Sequence, residues 1–75
     1  MTRQEFLTSV DSILELPEGT LTGAERLEDL EQWNSMAMIS FVALADENSG
    51  VKLSLRQLAS CSTVADLLDV AKVEL

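Results

Sequence analysis

Trp33-Asn34-Ser35-Met36 places a hydroxyl where a loop turns into a helix. Asparagine is among the strongest N-cap residues, because its side-chain oxygen accepts from the unpaired backbone N–H groups of the first turn. With Asn34 as cap, Ser35 becomes the first helical residue and its Oγ points to solvent. The same N–H groups, together with the positive end of the helix dipole, favour a phosphate on or near that oxygen. A phosphodiester on Ser35 is the chemistry this stretch suits. The other reading of these four residues is capping chemistry alone; metal and nucleophilic chemistry are poorly served. The chain has no histidine and one cysteine, Cys61, which removes His-based triads, the familiar zinc ligand sets and any internal disulfide. A calcium loop opening at Asp46 also fails, since Val51 falls where glycine is needed and Gln57 where the closing glutamate belongs. No catalytic residue and no metal ligand is assigned.

Elements able to hold that serine can be followed along the chain. Thr2 with Glu5 has the form of a capping box, and Phe6, Leu7, Val10, Ile13 and Leu14 recur at helical spacing, which predicts a first helix at about residues 3 to 15. Pro17 disfavours helical geometry at Leu16 and ends it. A long connection follows, from Leu16 to Asn34, with Leu21, Leu27, Leu30 and Trp33 available to pin it over the helices. Within it, Thr22-Gly23-Ala24-Glu25 is expected to cap one short turn, and Trp33 to act as a packing anchor. The Ser-bearing helix runs to Gly50, suited to a left-handed residue just past its end. Val51 and Leu53 turn inward, and Leu55 to Cys61 forms a short third helix in which Cys61 serves as a small buried apolar residue. Thr63 and Asp66 cap a fourth helix whose core face is Val64, Leu67, Leu68 and Ala71, with Lys72 near its carboxyl end suiting the dipole.

Seventy-five residues allow a single domain, 1–75, near the lower limit for a core that folds without metal or disulfides. Thirteen acidic residues against five basic ones give a formal net charge of −8, which argues against nucleic acid as a partner. Between Asp11 and Glu47 the only base is Arg26, so a partner with a basic surface fits; an acidic surface that merely keeps the protein soluble is the other reading. The segment Met1 to Phe6 lacks the basic-then-apolar pattern of a secretory signal, and no apolar run reaches the length of a membrane span. Cytoplasmic location is the expectation.

The order and spacing of these pieces resemble the acyl carrier protein family along nearly the whole chain. That family carries Asp-Ser-Leu at the start of its second helix, often preceded by Gly or Trp, where this chain has Asn34-Ser35-Met36. The resemblance implies an all-α fold, a small antiparallel four-helix bundle with a long first loop and a short third helix. It also implies that Ser35 bears 4'-phosphopantetheine, transferred from coenzyme A by a magnesium-dependent phosphopantetheinyl transferase, and that the arm's thiol holds acyl cargo as a thioester. The protein would itself be non-catalytic, a monomer, and visited by acyl- or aminoacyl-loading and acyl-transferring enzymes. Two departures matter. Asn34 keeps the cap but loses the charge of the usual aspartate, and Ala37 and Ser40 stand where fatty-acid carriers are often acidic. A carrier for a specialised fatty acid or polyketide pathway is favoured; a peptidyl or aminoacyl carrier, and an unmodified carrier-like interaction module, stay open. The start at Met1 favours a stand-alone protein, with an excised domain of a larger synthase as the alternative.

At about 100° per residue the Ser-bearing helix shows two apolar surfaces. Met38, Phe41, Val42 and Ala45 form one, expected to pack on Phe6, Val10 and Leu14. Met36, Ile39 and Ala43 form the second, with Ser40 and Glu47 beside them. Since one stripe suffices for a core, the second either meets the long loop or is a docking surface for partners, with Asp46 and Glu47 steering the encounter.

Overall fold

Capping chemistry written into the sequence sets the start of each helix. In a computed structural model, which describes residues 2–72, α1 spans Arg3–Ile13, α2 Ser35–Ser49, α3 Leu55–Ala59 and α4 Val64–Val70, with a single 3₁₀ turn at Leu27–Asp29 and no strand among the described residues. Thr2–Glu5, Ser54–Gln57 and Thr63–Asp66 each form a reciprocal capping box, in which the cap side chain accepts from the third helical N–H while the acidic or amide side chain accepts from the cap's own N–H. The N–H groups of Ser62 and Thr63, with the Thr63 hydroxyl, hold the Asp66 carboxyl below the usual aspartate range. This cap is thus fully formed above the ordinary aspartate pKa and is lost as pH falls through the lowered one.

α1 is two residues shorter than its apolar spacing predicts. Leu16, held out of helical geometry by Pro17, donates its N–H to the Asp11 carbonyl at 2.8 Å, and Glu15 donates to Ser12 at 3.1 Å. These two bonds close a Schellman motif around Glu15, which sits at φ 59° in the left-handed region usually given to glycine.

Phe6 and Val10 of α1, with Leu14 just past its end, meet Phe41 of α2 and Val64, Leu67 and Leu68 of α4, with Ala71 just past it, in one core. Phe6 packs edge-on against Phe41 with ring centres 5.6 Å apart. The buried stripe of α2 is Ala37, Phe41 and Ala45, one turn apart, while Met38 and Val42 are only half-buried at its side. Here the small residue won the inner position. Alanines at 37 and 45 leave room for the bulk of Phe41 and α1, so the helix turns these two alanines inward and Met38 sideways. Cys61 is half-buried, and its thiol is pushed up by burial and by the charges of Asp66 and Asp69.

The long connection is held at both ends by polar bonds that apolar spacing could not disclose. Asp11, only 1% exposed, takes the N–H groups of Gly19 and Leu21 on its two carboxylate oxygens, each at 3.0 Å. Farther along, Gly23 and Glu25 offer their carbonyls to the N–H groups of Ala65 and Val64, and Leu27 donates to Ser62 at 2.9 Å. The first turn of α4 is thereby capped by the loop. Thr22 and Glu25 do form a local turn, with the Thr22 and Gly23 N–H groups on the Glu25 carboxylate, but the helical turn begins later, after Arg26, and has no side-chain cap. Burial would raise the Glu25 pKa; those hydrogen bonds outweigh it and hold the carboxyl low. Leu21 and Leu27 are buried beneath the loop, and Leu30 and Trp33 half-buried, as their spacing predicts.

Candidate functional site

Ser35 lies where a fixed loop delivers the chain to the first turn of the longest helix. Trp33 rests edge-on against Phe41 at 6.1 Å, so the approach to the helix is anchored in the core by a chain of three aromatic rings ending at Phe6. Asn34 follows in extended geometry, φ −120° and ψ −175°, and its side-chain oxygen accepts from the Ala37 N–H at 3.0 Å. Met38 donates to the Asn34 carbonyl at 2.9 Å. The N–H groups of Ser35 and Met36 have no protein acceptor among the described residues.

Ser35 itself is exposed, and its hydroxyl makes no hydrogen bond to the described residues. A phosphodiester there fits the donor set: two unpaired N–H groups at the positive end of a 15-residue helix, with no carboxylate in its first turn to oppose the anion. Among the described residues no group of three or more potential metal ligands converges, and no helix is long and apolar enough to cross a membrane.

A profile of the family described as a phosphopantetheine attachment site matches residues 4–71. The chain belongs to that family. No curated protein and no solved structure gives a match. Domains of the phosphopantetheine-attachment family carry 4'-phosphopantetheine covalently and are in general carriers that modifying and acyl-handling enzymes visit. The helical fold, with four helices and a long first connection, agrees with that membership.

In this phosphopantetheine-attachment domain the remaining sequence-predicted residues divide into two groups. Met36, 79% exposed, and Ile39, 58% exposed, lie on the outer side of α2 with Ala43, and the loop does not cover them. Asp46 and Glu47 are also exposed but stand at the far end of the helix, about 17–18 Å from Ser35 by the rise per residue. Asp46 is engaged there by Lys52, whose Nζ lies 3.0 and 3.1 Å from its two oxygens. The eleven residues Ser35 to Ala45 contain no charge at all. Leu55, 45% exposed, is a third large apolar side chain at the surface. Its position directly after the Ser54 cap is the signal for this, since a first-turn side chain projects past the end of a short helix.

Proposed function

We propose that Ser35 is the residue that carries the arm, and that the chain is a non-catalytic acyl carrier of a specialised pathway, one domain in which the four helices pack as an antiparallel bundle. The carrying observation is the exposed Ser35 hydroxyl beside unpaired N–H groups at the start of α2, inside the family match. Each part of the site has a stated task. Asn34 fixes the helix start, Trp33 fixes the approach to it, and the N–H groups of Ser35 and Met36 would be the donors for a phosphate held there. When bound, the group supplies a thiol on a flexible tether, where cargo is held as a thioester at high local concentration for successive enzymes. The absence of histidine and of a composed nucleophile supports a protein whose chemistry resides in that arm. Acyl rather than aminoacyl cargo is the reading adopted, and the cytoplasm the expected compartment.

Intact mass of the protein purified from its native host tests this reading. A population heavier by one phosphopantetheine, with or without an acyl group, is expected. A single unmodified mass would instead favour a docking module that is never loaded, an alternative to which the missing Asp at position 34 gives weight.

Asn34 is expected to limit modification by transferases that meet an aspartate in other carriers. Asn and Asp cap helices about equally, so Asn34→Asp should change stability little while adding a carboxylate opposite a basic docking surface. Initial rates of modification by a foreign transferase at low salt should rise. Equal rates would make this position electrostatically silent.

Met36, Ile39 and Ala43 are proposed as the stripe through which transferase and acyl-handling enzymes grip α2. Their exposure on a helix whose core face is already complete supports it. Ile39 is 58% exposed, so burying the rest of it in a complex would contribute about 1–2 kcal/mol. Ile39→Glu should therefore leave the thermal midpoint nearly unchanged and weaken partner binding about 10-fold or more, at high as well as low salt. Asp46 and Glu47 would steer the encounter, and Glu47 more than Asp46, whose charge Lys52 offsets.

A further inference from the structure

The dipeptide Asn-Ser occurs twice in the chain, at Asn34-Ser35 and at Asn48-Ser49, and α2 holds the two copies in opposite ways. An asparagine followed by a small residue is chemically labile, because the backbone nitrogen of the next residue can close a cyclic imide on the side-chain carbon. At Asn48 both partners of that reaction are engaged. Its Nδ2 donates to the Leu44 carbonyl at 3.0 Å, and the Ser49 N–H lies within the hydrogen-bond ladder of α2, so closing the ring would unwind the last turn of the helix.

At Asn34 neither partner is engaged. The Ser35 N–H and the Asn34 amide nitrogen have no protein acceptor among the described residues, both residues are exposed, and the Asn34 backbone is extended, with ψ −175°, instead of helical. The one bond its side chain makes favours the reaction, since the Ala37 N–H, 3.0 Å from Oδ1, is placed to stabilise the negative charge that gathers on this oxygen when Cγ is attacked. Against it stands the bond from the Met38 N–H to the Asn34 carbonyl, which resists rotation of that peptide. We infer that Asn34 is a site of spontaneous deamidation in the folded protein. Ser35 N gives up its proton to solvent and bonds to Cγ, the Cγ–Nδ2 bond breaks and ammonia leaves, and water then opens the imide at either carbonyl. Opening at Cγ leaves an aspartate at position 34, which keeps the cap and sets a carboxylate beside the Ser35 hydroxyl. Opening at the main-chain carbonyl leaves an isoaspartate, which adds a methylene to the backbone and displaces the cap. The inference holds whatever Ser35 carries.

The test holds the protein at mildly alkaline pH over days, one sample folded, as verified by circular dichroism, and one in urea. Cleavage after Glu31 and Glu47 puts the two asparagines on separate peptides, in which the mass difference between amide and acid is read and isoaspartate is scored with a protein isoaspartyl methyltransferase. In urea, where both asparagines are released from α2 and are followed by the same residue, the two should convert at similar rates. In the folded protein Asn34 should convert several-fold faster than Asn48, with isoaspartate among its products. A folded-state ratio no higher than the ratio in urea, or no conversion at Asn34, overturns the inference. Aspartate at position 34 with no isoaspartate overturns it as well, since it would mean direct hydrolysis of the side chain without attack by Ser35 N.

Discussion

Ser35→Ala should yield a folded protein that takes up no phosphopantetheine at all. The hydroxyl makes no hydrogen bond to the described residues, and Asn34 still caps the Ala37 N–H, so the change should cost at most about 1 kcal/mol. The whole effect then falls on chemistry. Removing Oγ removes the only atom at this helix start that can form the phosphodiester, and no thiol or hydroxyl on a neighbouring residue stands in the same relation to the unpaired N–H groups. Wild type and variant would be incubated with coenzyme A and a transferase and weighed. Complete loss of the mass gain, with an unchanged circular dichroism spectrum, is expected. A gain in the variant would move the attachment to another hydroxyl, with Ser40, five residues farther along the same helix, the first to examine.

Asp11→Ala is expected to be the most destabilising single substitution outside the apolar core. It strands the N–H groups of Gly19 and Leu21, of which the latter bond is fully buried, and each lost bond to a charged acceptor is worth about 1.5–3 kcal/mol. A loss of about 3 kcal/mol is a large share of what a domain of this size possesses, and corresponds to a fall of roughly 12–24 °C in thermal midpoint. Asp11→Asn retains one acceptor oxygen and should fall between the variant and the wild type. If Asp11→Ala melts within a few degrees of the wild type, the loop is held by Leu21 and Leu27 alone and the carboxylate is dispensable.

Asp11 also marks where sequence reasoning stopped. Three helix starts were legible because Thr2, Asn34 and Thr63 announce themselves as caps, and because the apolar residues of α1 and α4 recur at helical spacing; the Ser54–Gln57 box that opens α3 emerges only in the structure. Asp11 follows Leu7 by one turn and precedes Leu14 by nearly one, so the wheel does place it on the inner face. A charge there looks like an interruption until its acceptors are needed by a loop eight and ten residues on. Burial in α2 was harder to foresee for a different reason. Hydrophobicity alone ranks Met38 and Val42 above Ala37, whereas close approach of α1 selects the smaller side chain. The candidate serine needed only local chemistry, a cap and a hydroxyl.

The bonds from Gly23 and Glu25 to the start of α4 join parts of the chain that are made far apart. Such pairings form only after the intervening helices have closed the distance, because loop-closure entropy must be overcome before they contribute anything. The middle of the long connection, residues 23–27, therefore acquires its fixed geometry late in folding, with the arrival of α4. On a ribosome, a nascent chain whose first two helices had already paired would still carry this stretch unanchored until Ser62 to Ala65 had emerged.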